Sequence, residues 1–190
     1  MKILSTSIED IKLIEPTRYG DQRGYFFESW HQERYNSFGI TSRFVQDNCS
    51  MSKAGTVRGL HYQLTHPQAK LVHVLKGAVY DVAVDIRVGS PTFGQWVGAE
   101  LSDENGRQLY IPEGFAHGFC VLSDEAVFSY KCSDYYMPQD EGGILWSDAQ
   151  IGIEWPVSDP ILSEKDKVYP CLAEVEPCRL PVYEALGGGA

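Results

Sequence analysis

The stretch Val57-Arg58-Gly59-Leu60-His61-Tyr62-Gln63, with Lys70 following, sets a guanidinium, an imidazole and an ammonium among strand-forming residues. Imidazole titrates nearest neutrality of all side chains, so His61 suits a general base. A lysine close to an ionising carbon acid can stabilise the enolate that forms, a role open to Lys70. Tyr130 shares one face of its segment with Phe128 and Cys132, which would aim its phenol into an apolar interior. A base and an acid on opposite walls of one cavity can epimerise a carbon next to a carbonyl. Asp166 is a candidate carboxylate to orient His61. Each residue also has a plainer reading. His61 could be a hydrogen-bonded strand histidine, Tyr130 a core aromatic, Lys70 an exposed strand-start lysine and Asp166 a solvated acid. Residue types alone leave both readings open.

Strand alternation decides which of these groups can meet. In an extended segment Arg58, Leu60 and Tyr62 point one way while Gly59, His61 and Gln63 point the other. Arg58 can then share a cavity with His61 only across a bend, which Gly59 permits. Other strands are predicted at Ile8–Ile14, Tyr25–Glu28 and Phe44–Asn48, with a short helix over Trp30–Phe38 capped by Ser29 and stopped at Gly39. From residue 57 the pattern is almost wholly β: Lys70–Leu75, Ala78–Arg87, Phe93–Leu101, Gln108–Ile111, Phe115–Leu122 and Ala126–Cys132. On Ala78–Arg87, Tyr80, Val82, Val84 and Ile86 share one face; Val79, Asp81, Ala83, Asp85 and Arg87 share the other. Asn105-Gly106 predicts a hairpin, and Ser163-Glu164-Lys165-Asp166 a helix start. Short strands separated by turn signals predict an all-β sandwich or barrel, best fitted by a jelly roll with a few short helices.

The 190 residues suit one domain, 1–190, with a disordered tail from about residue 184. Five cysteines without a Cys-x-x-Cys pair argue against a disulfide framework or zinc knuckle and favour a reducing cytoplasm. No signal peptide or membrane-length apolar run is apparent, so a soluble cytoplasmic protein is expected. A formal net charge of −10 disfavours nucleic acid as partner. An anionic small ligand remains compatible where a few cations converge, with Arg23, Arg58, Lys70 and Lys165 as candidates.

Pro112-x-Gly114-x-x-His117 has the spacing of the second motif of cupin jelly rolls. A metal-binding cupin also supplies His-x-His, whereas this chain offers His61-Tyr62-Gln63. A metal site on His61, Gln63 and His117 would be short of donors.

More extensive motifs run from about Ile8 to Asp166. They are Asp21-x-Arg23-Gly24-x-Phe26-x-Glu28, Gln46-Asp47-Asn48-x-Ser50, Arg58-Gly59-Leu60-His61-Tyr62-Gln63 and Lys70-Leu71-Val72. Ser90-Pro91-Thr92-Phe93-Gly94-Gln95-Trp96, Ile111-Pro112-x-Gly114-Phe115-Ala116-His117-Gly118-Phe119, Tyr130-Lys131 and Ser163-x-Lys165-Asp166 follow in order. In these the chain resembles the dTDP-4-dehydrorhamnose 3,5-epimerase family, metal-free cupin enzymes of dTDP-L-rhamnose synthesis. The resemblance implies His61 as base paired with Asp166, Tyr130 as acid and Lys70 as enolate partner, with no metal and no cofactor. It implies His117 beside the sugar, Arg58 and Lys165 on the diphosphate, and Tyr136 stacked on thymine with Glu141 nearby. Arg23, Phe26, Glu28, Gln46, Asp47 and Asn48 match positions that contact the nucleotide or sugar. The family is a homodimer with exchanged N-terminal strands, so Arg23, Phe26 and Glu28 would serve the partner's site. The implied substrate is a dTDP-4-keto-6-deoxyhexose. A single-carbon epimerase, a metal-dependent cupin and a non-catalytic sugar-binding jelly roll are the rival functions.

Overall fold

A computed structural model describes residues 1–183; the expected disordered tail at 184–190 lies outside the described residues. The strands in chain order are β1 (Lys2–Leu4), β2 (Lys12–Glu15), β3 (Tyr19–Asp21) and β4 (Gly24–Phe26), then helix α1 (Gln32–Asn36). β5 (Gln46–Lys53), β6 (Val57–Gln63), β7 (Lys70–Lys76), β8 (Ala78–Asp85) and β9 (Trp96–Ser102) follow. β10 (Gln108–Ile111), β11 (Phe115–Val121), β12 (Glu125–Cys132) and β13 (Glu141–Gly143) complete them. A six-stranded sheet has the order β1-β2-β10-β7-β12-β5 and a five-stranded sheet the order β13-β6-β11-β8-β9, while β3 and β4 form a separate hairpin. The fold is all-β, a jelly-roll sandwich of antiparallel sheets, as expected.

Alternation along the strands builds the core between the sheets. Val72 and Val74 of β7, Leu109 of β10 and Phe128 of β12 meet Val79 and Ala83 of β8 and Phe115 and Phe119 of β11. The opposite faces are buried too. Val82 and Val84 lie with Leu60 and Tyr62 under Ile144, Ile151, Leu172 and Leu180 from the C-terminal segment. Tyr35 of α1 and Ile40 cover Leu71 and Tyr110 on the outside of the six-stranded sheet. Two covered faces explain why these strands carry apolar residues at nearly every position.

Four local expectations are corrected. The first predicted strand narrows to β2, and β1 pairs with it through Ile3–Ile14. α1 is shorter than the predicted Trp30–Phe38, with His31 rather than Ser29 at its N-cap. The Ser29 carbonyl is occupied by Gln108 Nε2 at 2.8 Å and the Tyr35 hydroxyl at 3.1 Å, which holds that residue in the connection to the sheet. Asn105-Gly106 makes a turn, but β9 and β10 leave it into different sheets and do not pair. Ser163–Asp166 forms a single turn, Asp166 N–H donating to Ser163 O at 3.1 Å, and no helix follows directly.

Candidate active site

A cavity of about 490 Å³ opens between the sheets, lined by β6 and β11 on one side and β5, β7 and β12 on the other. His61 reaches it from β6. Arg58 reaches it from the same strand because of a bulge: His117 pairs with His61, but Phe119 pairs with Arg58, so β6 carries one extra residue. Both Arg58 and His61 therefore face inward, which simple alternation forbids. Gly59 makes this approach feasible. Its φ is +122°, and a Cβ there would lie 2.6 Å from Gly118 Cα and 2.7 Å from His117 O. Arg58 Nε donates to Ser52 Oγ at 3.0 Å, bridging the edges of the two sheets.

Asp166, buried in the turn after Ser163, lies with Oδ1 at 2.6 Å from His61 Nε2. A carboxylate at that distance fixes the proton on Nε2 and leaves Nδ1 as the free lone pair. Burial opposes charge on Asp166, but hydrogen bonds from His61 and Ser163 and the Lys165 charge hold its carboxyl below the ordinary value. Glu141 adds a second carboxylate, its Oε1 3.9 Å from the same imidazole nitrogen.

Tyr130 stands on β12, in the facing sheet, and lines the same cavity. Burial pushes its phenol up, helped by Cys132 and Glu141 and opposed by Arg58, so it is protonated at neutral pH. Lys70, at the start of β7, is half-buried; desolvation pulls its ammonium down against the charges of Cys132, Asp81 and Glu141. His117, beneath the cavity, has Nε2 at 3.0 and 3.1 Å from the two oxygens of buried Asp81. Burial lowers His117 and raises Asp81, so this pair resists carrying charge. The Phe119 and Phe128 rings stack across the sheets with centroids 4.2 Å apart, forming part of the cavity wall.

Gln46, Asn48, Arg58, His61, Lys70, His117, Tyr130, Tyr136, Glu141, Lys165 and Asp166, all singled out from sequence, line this one cavity. Four others lie elsewhere in the chain. Asp47 sits on the outer face of β5, paired with Lys131 at 2.9 Å. Arg23 and Phe26 belong to the β3–β4 hairpin, where Arg23 pairs with Asp21. Glu28 pairs with Arg34 at 2.7 Å. Sequence reasoning gave no role to Asp81, Gln68, Ser163 or Tyr169. Asp81 left only an ambiguous trace, an acid on the strand face that carries Val79 and Ala83 but also Asp85 and Arg87. Among the described residues, no group of three or more His, Cys, Asp or Glu is placed to hold a metal ion, and no helix is long and apolar enough to cross a membrane.

The sequence profile of the dTDP-4-dehydrorhamnose 3,5-epimerase family matches residues 5–174. The chain belongs to this family. It is an enzyme, an epimerase. A relative from Shigella flexneri named dTDP-4-dehydrorhamnose 3,5-epimerase is 57% identical over 168 residues, 87% of this chain and 93% of its own. A Legionella pneumophila 3,5-epimerase crystallised with dTDP-4-keto-L-rhamnose superposes with a TM-score of 0.94 at 55% identity, covering 97% of this chain and 99% of that one. A Streptomyces niveus relative, named a dTDP-4-dehydrorhamnose 3-epimerase, is 41% identical over 186 residues, 96% of this chain and 90% of its own.

Proposed function

We propose that this epimerase inverts carbons 3 and 5 of dTDP-4-dehydro-6-deoxy-D-glucose, giving dTDP-4-dehydro-L-rhamnose for dTDP-L-rhamnose synthesis. The observation that carries the mechanism is the His61–Asp166 pair on one wall of a cavity whose opposite wall bears Tyr130. The 4-keto group acidifies the hydrogens on both neighbouring carbons. His61 Nδ1 removes one, and the electron pair moves onto the ketone oxygen as an enolate. Lys70 stabilises that oxygen, and Asp166 stabilises the imidazolium. Tyr130 then returns a proton to the other face of the carbon, inverting it. His61 then passes its proton to solvent and Tyr130 takes one back, after which the same sequence at the second carbon completes the reaction; neither metal nor redox cofactor enters any step.

Arg58 and Lys165 bind the diphosphate, which places two cations at the mouth of a site in an otherwise acidic protein. Gln46, Asn48 and Tyr136 line the side on which the nucleotide lies. The protein acts in the cytoplasm as a homodimer with exchanged N-terminal strands. In that dimer Arg23, Phe26 and Glu28 of each hairpin region complete the partner's cavity.

Proton NMR of dTDP-4-keto-6-deoxyglucose with chelator-treated protein in deuterium oxide tests the assignment. Deuterium should enter at both carbons flanking the ketone. Exchange at one carbon alone makes the protein a single-carbon epimerase. Binding without exchange overturns the catalytic reading.

A further inference from the structure

Glu141 opens β13, the edge strand beside β6, and its side chain is only 11% exposed. Oε1 receives the Lys165 ammonium and the Tyr169 hydroxyl, the latter at 3.2 Å, while Oε2 receives the Tyr136 hydroxyl. Three donors thus hold a nearly buried carboxylate in one orientation. That orientation places Oε1 3.9 Å from His61 Nε2. Tyr169 fixes the same geometry from the other side, its ring edge-on to the imidazole at 5.8 Å and 69°. The ring fits because Gly143, the cross-strand partner of His61, has no side chain; a Cβ there would lie 2.4 Å from it.

We infer that Glu141 is a positioning residue for the base, a second negative charge at the Nε2 edge of His61 that favours the imidazolium formed on proton abstraction. This rests on His61 being the base. Asp166 orients the ring through a hydrogen bond that carries one charge; Glu141 supplies another through space. Lys165, on the same Glu141 oxygen, opposes it. When a diphosphate engages Lys165, the opposing cation is neutralised and the two carboxylates act together. Substrate binding thereby strengthens the base that attacks the substrate. Burial works against charge on Glu141, yet the Lys165 and Tyr136 hydrogen bonds keep its carboxyl below the ordinary range, so the charge is present at neutral pH.

The other charged and titratable groups around His61 are Asp166, Lys165 and Tyr169 from the 163–169 segment, and His117 with Asp81 from β11 and β8. Lys70 and Tyr130 stand across the cavity, Arg58 faces inward from the same strand as His61, and Tyr136 lines the same cavity. None of these changes in Glu141→Gln, which keeps the side chain's size and an acceptor for the tyrosine hydroxyls. The acidic limb of kcat against pH, which reports the substrate complex, should move down by about one pH unit, that of kcat/KM by less because Lys165 opposes Glu141 in the free enzyme, and kcat should fall about tenfold. Glu141→Asp should recover much of both. Lys165→Met should move the free-enzyme limb, read in kcat/KM, the opposite way, whatever it does to KM. A Glu141→Gln enzyme with an unmoved limb and only a raised KM would make Glu141 a substrate ligand and overturn the inference. If circular dichroism shows that variant unfolded, Lys165→Met alone decides, and an unmoved limb there overturns it. His61→Asn separates the two levels. Surviving deuterium exchange in that variant removes the base itself, whereas a dead His61→Asn beside an unmoved Glu141→Gln limb removes only the role of Glu141.

Discussion

Lys70 and Tyr130 give the chemistry its two most testable residues. Because burial lowers Lys70, its ammonium loses a proton earlier as pH rises than an ordinary lysine does. Enolate stabilisation should therefore fade below the usual lysine range, setting the basic limb of the pH–rate profile. Lys70→Arg keeps its charge throughout that range, so the limb should move to higher pH while the altered fork geometry lowers kcat. An unmoved limb would assign it to another group. Tyr130→Phe should cut epimerisation by about 10²–10⁴-fold. His61 should still exchange the substrate hydrogen for deuterium in that variant, as NMR would show; loss of both would mean that Tyr130 does more than donate a proton. That His61, Lys70 and Tyr130 line one cavity was legible in the sequence through the motifs shared with the family, since residue types alone left plainer readings open. Asp81 was not, since an acid on an alternating strand reads equally well as solvent-facing until a second layer buries that face. Tyr169 was hidden for a different reason: its contact with His61 depends on the empty side-chain position of Gly143, on a distant strand.

At the scale of elements, β6 decides whether the site assembles. Its bulge turns Arg58 inward beside His61, and Gly59 permits the approach to β11. Gly59→Ala must strain a left-handed backbone, at about 1–3 kcal/mol, and also push away Gly118. Urea denaturation should show at least that loss, and diphosphate affinity should fall with it because Arg58 is displaced. Unchanged stability would mean that β6 relaxes elsewhere. The strands from β6 to β12 followed from apolar alternation and turn residues, which local sequence expresses well. The pairing of β10 did not. The Asn105-Gly106 turn specifies a reversal but not the sheet in which the returning strand finds its partner, and β10 binds β2 and β7 instead. α1 likewise shortened because a core hydrogen-bond pair claimed the Ser29 carbonyl, a tertiary contact that no capping rule contains.

For the whole molecule, the β3–β4 hairpin leaves Tyr19, Tyr25 and Phe26 between 55% and 68% exposed, an apolar cluster costly to keep in water. The proposed homodimer would cover this hairpin. Phe26→Asp should shift sedimentation toward monomer and raise KM for the nucleotide sugar, while each monomer keeps its fold; a variant still dimeric with native KM would exclude the hairpin from the interface. Inside the chain His61 and Tyr130, the proposed base and acid, hang from different sheets, and the stacked Phe119 and Phe128 rings span the gap between them. The two sheets behave as the jaws of a vice, with this aromatic pair as its shim. A thinner or thicker shim would change how far the proton donor reaches across the sugar, and so whether one carbon or both can be served. The stereochemical outcome would then respond to the packing of these two wall residues, with His61, Lys70 and Tyr130 left as they are.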